Sequence, residues 1–338
     1  MAKSDNIIQS EDRLFQELSQ LIEQSKTQLV SYANSTLTTL FWQVGKRINE
    51  HILQNKRAEY GKQIVPTLSA QLEKAYGRNF TEKNVRRMMR FAEQFTDIEI
   101  VVPLSRQLSW SHFVELLPLK KLEAKIFYAN QSAEQGWSIR ELRHKIETKT
   151  FERTKIANTQ IAKSADIPVN TFKDPYILDF LGLKDTYLEK DLESAILREL
   201  ELFILEIGKG FAFVERQKRM IIDGEDYHLD LLFFHRKLRR LVAIDLKIGK
   251  FQAKDKGQME LYLKWLDRYE KQENEEKPIG LILCAETSRE QVELLEMHKD
   301  GIMVAEYWTE LPPKKDLERK LHEALIEAKE NLEKRKLL

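Results

Sequence analysis

Along the first 150 residues, apolar positions recur at steps of three and four. Leu14, Leu18, Leu21 and Ile22 form one such set; Leu37, Phe41, Val44, Ile48 and Ile52 form another. This is the period of amphipathic helices. Glycine and proline are sparse and stand where helices would break, at Gly61, Pro66, Gly77, Pro103, Pro118 and Gly136. Residues 1–150 therefore predict an all-α domain. Residues 151–185 lose the period and read as a connection with an ordered end, packed on the next domain. Over 186–312 the period becomes mixed. Helices are predicted at Glu189–Ile207, Lys254–Tyr269 and Ser288–His298. Strands are predicted at Phe211–Arg216, His228–Phe234, Leu241–Lys247, Ile279–Ala285 and Ile302–Trp308. That order predicts an α/β domain, and the whole chain an α+β multidomain protein. Residues 313–338 hold a charged amphipathic helix over Lys314–Lys334, with Leu317, Leu321, Leu325 and Ile326 on its apolar side. No internal repeat is present.

Composition narrows the classes. A chain of 338 residues with 42% apolar residues can bury about two domain cores. Mean hydropathy is -0.49, and no uncharged apolar run reaches the ~18 residues of a spanning helix, so no membrane segment is expected. The polar start MAKSDNIIQSEDRL lacks the apolar stretch of a signal peptide. One cysteine, Cys284, allows no intrachain disulfide and no cysteine-based zinc site. A cytoplasmic protein is the expectation. The net charge of +1 leaves nucleic-acid binding open, because carboxylates of a metal site would offset basic residues that hold phosphate.

Two predicted strands carry candidate chemistry. In YHLDLLFF, positions 228, 230, 232 and 234 share a face; in LVAIDLKIG, positions 243, 245 and 247 do. The basic segment HRKLRR joins them as a hairpin. Matching faces would bring Asp230 and Asp245 together, with Lys247 beside them. Ionised carboxylates among apolar residues are unfavourable unless paired or bound to metal. Mg²⁺ or Mn²⁺ suits such oxygen ligands. A lysine there could orient a water or offset charge on an attacked phosphate. A salt-bridged hairpin facing solvent is the competing reading. Other constellations are weak: the seven histidines form no HExxH pattern, EIGKGF lacks P-loop spacing, and Trp42, Trp110 and Trp137 sit among aliphatics as core residues do.

The segment from Asp230 to Lys247 resembles motifs II and III of the PD-(D/E)XK nuclease superfamily. FAFVERQKR, DYHLDLLFFHRKLRRLVAIDLKIGKF and GQMELYLKWLD more narrowly resemble the YhcG-type family of bacterial proteins. In the N-terminal part, FWQVGKRI, YGKQIVPTLSAQLEKAYGRNFTEKNVRRMMRF, LSWSHFVELL and GWSIRELRHKI carry the likeness. Many members have Glu where this chain has Asp245, a variation the superfamily pattern allows. The resemblance implies a metal-dependent nuclease domain behind an N-terminal domain of poorly known function. It also implies site roles for Gln258 and Tyr262, which match the family's Gln-x-x-x-Tyr helix and lie on one helix face. The superfamily's leading helix often aims a glutamate at the metal. Glu193, three residues before Ile196 on the face of Leu200, Phe203 and Ile207, is the candidate; Glu201 lies off that face. Arg216 and Gln217 could line the cleft, and Lys250 and Lys254 face phosphate or solvent.

In the N-terminal domain, Thr81 is a candidate N-cap for a helix carrying Arg86, Arg87 and Arg90. With the helix before it, this segment resembles a helix-turn-helix, possible in a winged form, that would contact DNA phosphates. A protein-interaction role, including a homodimer contact, is the alternative. The expected function is Mg²⁺- or Mn²⁺-dependent hydrolysis of phosphodiester bonds, with DNA as the partner. The alternatives are a non-catalytic nucleic-acid-binding or assembly module on the same fold, and an interaction protein without a metal site.

Overall fold

The computed structural model describes the backbone of residues 2–54, 58–161, 167–183, 188–208 and 210–337, with side chains described for most of them. Leu14 lies outside the described side chains. The chain divides into two compact units, Met1–Ile146 and Glu147–Leu338.

The first unit is built from helices: α1 (Ala2–Gln54), α2 (Ala58–Tyr76), α3 (Glu82–Gln94), α4 (Ile98–Ser105), α5 (Trp110–Leu116), α6 (Leu122–Gln135) and α7 (Ile139–Glu147). Among the described residues it contains no strand, so the helical form of the expectation is the one seen, without a wing. Apolar Val85, Met88, Phe91 and Ala92 put one face of α3 into the core. Trp110 meets Phe41 and Phe91 edge-on at centroid distances of 5.1 and 5.3 Å. The indole nitrogens of the buried Trp42 and the half-buried Trp110 donate to Phe95 O and Asn84 Oδ1, which satisfies both donors. Trp137 is buried too. Thr81 does stand at the N-cap of α3, but its side chain makes no cap hydrogen bond.

Helices α1 and α3 cross closely at Gly45. A Cβ there would lie 2.0 Å from the Met88 carbonyl oxygen. That neighbour is backbone and cannot rotate away. Gly45→Ala is expected to lower stability by about 1–3 kcal/mol, through separation of the helices. A thermal or urea melt of the full chain measures this; an unchanged midpoint would contradict the crossing.

The second unit is centred on a six-stranded sheet in the order β1-β6-β5-β4-β3-β2. Its strands are β1 (Tyr176–Ile177), β2 (Phe211–Ile222), β3 (Glu225–His235), β4 (Arg240–Lys250), β5 (Ile279–Glu286) and β6 (Ile302–Trp308). Pairs β2–β3 and β3–β4 are antiparallel; β4–β5, β5–β6 and β6–β1 are parallel. The crossover between β4 and β5 is helix α11 (Ala253–Tyr269). Two apolar clusters cover the faces. One joins Leu192, Ile196 and Phe203 to Leu231, Phe233, Ile244 and Leu246. The other joins Met259, Tyr262 and Leu266 to Leu232, Ala243 and Ile282.

Three expectations change. The predicted helix 189–207 is two helices, α9 (Glu189–Arg198) and α10 (Leu200–Ile207), broken at Glu199. Strand β2 runs to Ile222, well past Arg216. A polar run at 215–219, on the edge strand of the sheet, interrupts its apolar signal, which resumes at 220–222, where Met220 is buried. Residues 151–185 are more than a connection. They include most of α8 (Thr150–Gln160), whose Phe151, Arg153, Ile156 and Ala157 are buried, and β1, which extends the sheet. After the short α12 (Arg289–Leu294), helix α13 (Lys314–Leu337) seats Leu317 and Leu321 against Ile156. The expected boundary at 185/186 lies outside the described residues. No helix of the described chain is long and apolar enough to cross a membrane.

Candidate active site

The hairpin strands β3 and β4 pair from His235–Arg240 up to Leu231–Ile244, where their ladder ends. The next backbone donor of β4 beyond that pair, Leu246 N–H, bonds instead to the Asp230 side chain, Oδ2 at 2.7 Å. A carboxylate thus substitutes for a strand carbonyl at the point where the two strands part. Alternation also breaks here. Leu231 packs on the α9 side, yet Leu229 joins Leu232 on the α11 side. Opposite this point, β2 carries a register shift between Phe213 and Glu215, and Gln217 sits at φ 47. The simple expectation of one shared face for positions 228–234 is therefore corrected by a local twist.

That twist gathers polar groups into two linked sets. In the first, Gln217 Nε2 donates to Glu193 Oε2 at 2.9 Å and to Asp230 Oδ1 at 3.0 Å. One amide thus bridges two carboxylates from different elements. In the second, Lys247 Nζ lies 2.8 Å from Asp245 Oδ2 and 3.8 Å from Glu189 Oε1. Asp245 is only 2% exposed. Burial pushes its carboxyl up to about 7; Lys247 opposes the shift and Asp230 adds to it. Burial works against the Lys247 ammonium, but Asp245 and then Glu189 hold its pKa above the ordinary lysine value. Burial also raises Glu193, with Asp230 adding repulsion, and raises Glu189 against the pull of Lys247.

From α11, Gln258 Nε2 donates to Tyr262 Oη, and that hydroxyl donates to His228 O at 3.0 Å. Tyr262 is buried beside β3, and burial raises its pKa. The charges of Asp245, Lys247 and Asp230 reach Tyr262, so the hydroxyl lies close to the middle of β3, where β3 parts from β4.

The remaining predicted residues are dispersed. Arg216 is exposed on β2, and its charge reaches Glu193. Lys250 is exposed and lies 3.6 Å from Glu286; Lys254 is exposed at the start of α11. Arg86, Arg87 and Arg90 belong to the first unit. Arg86 pairs with Glu82 at 2.7 Å, Arg87 is half-buried and Arg90 is exposed. Sequence reasoning missed Glu189. The available signal was its spacing, four residues before Glu193 and hence on the same face of α9. It was hidden because the helix was read as continuous through residue 207, with its face set by residues of α10.

Residues 169–322 match the family model of the YhcG PDDEXK nuclease domain, and residues 17–153 match that of the DUF1016 N-terminal domain. The chain is 34% identical over 336 aligned positions to "Putative nuclease YhcG" of Escherichia coli (strain K12), with 88% of this chain and 90% of that protein covered. Among solved structures, a repair endonuclease from Pyrococcus abyssi is similar at 25% identity over 38% of this chain, with a TM-score of 0.26. EndoMS in a complex with double-stranded DNA is similar at 22% identity over the same share, with a TM-score of 0.26. The chain spans about half the length of those two, 50% and 48%. With nearly its whole length aligned to one relative and both halves matched by the corresponding domain models, the chain belongs to the YhcG family, in which a DUF1016 N-terminal domain precedes a PD-(D/E)XK nuclease domain.

Proposed function

We propose that this protein is a divalent-metal-dependent endonuclease that hydrolyses phosphodiester bonds in DNA. The observation that carries the reading is the buried Asp245–Lys247 pair beside the Glu193–Gln217–Asp230 bridge, at the point where β3 and β4 part. Among the described residues, no three His, Cys, Asp or Glu side chains are already drawn together as a metal cage. The donor chemistry still fits a hard cation. Asp245 Oδ2 and Glu189 Oε1 are buried oxygens without a hydrogen-bond partner beyond the Lys247 ion pairs. An all-oxygen set is what Mg²⁺ or Mn²⁺ prefers. Asp230, Asp245 and Glu193 are the residues that would hold it, with the Glu189 oxygen beside them. When bound, the cation supplies Lewis-acid polarisation of the phosphate and a more acidic water.

The chain's own groups divide the remaining work. Lys247 carries its positive charge to where negative charge grows on the attacked phosphate. Asp245 keeps that ammonium in place. Gln217 fixes Glu193 and Asp230 relative to each other with one amide. Tyr262, anchored on His228 O and supported by Gln258, presents a hydroxyl near the same carboxylates. Arg216, Lys250 and Lys254 supply positive charge for the DNA backbone around the site. In the N-terminal domain, Arg87, Arg90 and Arg86 on α3 supply phosphate contacts, or a partner contact.

The test is cleavage of plasmid, linear, single-stranded and branched DNA, with RNA alongside, in Mg²⁺, Mn²⁺ or EDTA. DNA cleavage that EDTA abolishes and Mg²⁺ or Mn²⁺ restores is expected. Cleavage that persists in EDTA would overturn the metal role. Salt-sensitive DNA binding without cleavage would favour the non-catalytic module.

A further inference from the structure

Helix α1 is 53 residues long, about 80 Å at helical rise. Its second half lies in the first unit's core, where Phe41, Trp42 and Ile48 are buried. Around residue 31 the helix is tied to the C-terminal end of α4: Ser31 Oγ donates to Arg106 O, and Ser35 Oγ meets Ser105 Oγ at 3.0 Å. On another side an apolar stripe is open to solvent. Leu18, Leu21, Ile22, Leu29 and Tyr32 are exposed at 49, 60, 54, 70 and 75%. At 3.6 residues per turn these five fall in a band about 100° wide, with Ser25 at its centre. Helices seldom persist in water without covering such a face.

The spacing of the stripe selects its occupant. Leu18 and Tyr32 stand seven residues either side of Ser25; Leu21 and Leu29 stand four either side. An array symmetric about one small residue is self-complementary when two copies run antiparallel. Leu18 then faces Tyr32, Leu21 faces Leu29, and the two Ser25 residues meet on the axis. Such a contact is the isologous, two-fold kind that most homodimers use. Charge favours the same direction. Residues 2–24 hold five acids and two bases, whereas residues 26–54 hold one acid and three bases. Antiparallel pairing sets the acidic half of one helix towards the basic half of the other; parallel pairing would stack acidic on acidic.

We infer that α1 is a homodimerisation helix, pairing antiparallel with α1 of a second copy about a two-fold axis at Ser25. The stripe is shorter than a standard interface of about 800 Å² per partner, so association in the micromolar range is expected. Dimerisation of this kind joins two nuclease domains in one particle. It is independent of whether either domain cuts.

Sedimentation of the full chain across the micromolar range tests this. The wild type is expected to shift from monomer to dimer with concentration. L21E/L29E is expected to remain monomeric with unchanged far-UV circular dichroism, since both positions are exposed. Single cysteines then read the geometry, because the native Cys284 is buried. Ser25→Cys is expected to form a disulfide-linked dimer under mild oxidation. Thr36→Cys lies on the same helix face, but its two copies would be about 33 Å apart in the antiparallel pair and are expected not to link. A wild type that stays monomeric, a dimer that L21E/L29E leaves intact, or linkage through Thr36→Cys as readily as through Ser25→Cys would each overturn the inference. None of these readouts involves cleavage, so failure here is separable from failure of the nuclease reading.

Discussion

Asp245→Asn is expected to reduce DNA cleavage by about a thousandfold or more, ~4 kcal/mol of transition-state stabilisation, without loss of the folded state. The substitution keeps the volume and removes the charge. A carboxylate that is 2% exposed is held in the structure against its own desolvation. Removing it deprives Lys247 of its 2.8 Å partner and the proposed cation of a ligand. Stability is expected to move the other way. An ordinary aspartate ionises near pH 3.9, whereas burial raises Asp245 to about 7. Between those values the folded protein binds more protons than the unfolded chain. Stability therefore falls as pH rises through that window, and the penalty is complete above about pH 7. Asp245→Asn should flatten that slope and, at pH 8, leave the urea midpoint equal to or above wild type. The same protonation opposes metal binding. Below about pH 7, affinity for Mg²⁺ should weaken about tenfold per pH unit while one proton is displaced. Urea titrations at several pH values and single-turnover cleavage measure these effects. A variant with full cleavage would remove Asp245 from the mechanism.

Arg153→Ala is expected to destabilise the second unit by about 3–5 kcal/mol. The Arg153 side chain is fully buried. It donates to Glu206 Oε1, to Thr148 O at 2.8 Å and to Pro175 O at 3.1 Å. Glu206 also accepts from Ile177 N, which ties the pair to the edge strand β1. Truncation leaves the buried Glu206 carboxylate without its nearest charged partner, with Lys173 at 3.6 Å. Replacing both partners by apolar residues, as in R153M/E206L, is expected to recover much of the loss, because neither charge then remains uncompensated. A loss under about 1 kcal/mol in R153A would mean that α8 and β1 are peripheral to the unit they join.

Arg153 also shows where the sequence stops being informative. A lone arginine in KTFERTKIAN reads as a solvated charge, and the stretch around it has neither a helical nor a strand period. Its burial depends on Glu206, 53 residues away, and on a two-residue strand that exists only because β6 lies beside it. The polar run 215–219 of β2 is similar: it is held in the strand by pairing with β3 and not by its own residues.

For the helical character of the first unit and the central strands β3 to β6, the sequence alone was sufficient, although Gly61, Pro66 and Pro103, expected at helix breaks, lie inside α2 and α4. Their apolar periods are long, and each is dictated by burial on one or two faces of a regular element. It also singled out Asp230, Asp245 and Lys247, since charged residues inside apolar strands are costly unless they serve a purpose. Only the tertiary structure decided how those groups meet. The parting of β3 from β4, the Leu246 N–H taken by Asp230, the Gln217 amide between two carboxylates and the arrival of Glu189 at Lys247 all join residues from separate elements. Local periodicity records which face a residue occupies. It carries no record of where a twist ends a ladder, because that depends on the strand opposite.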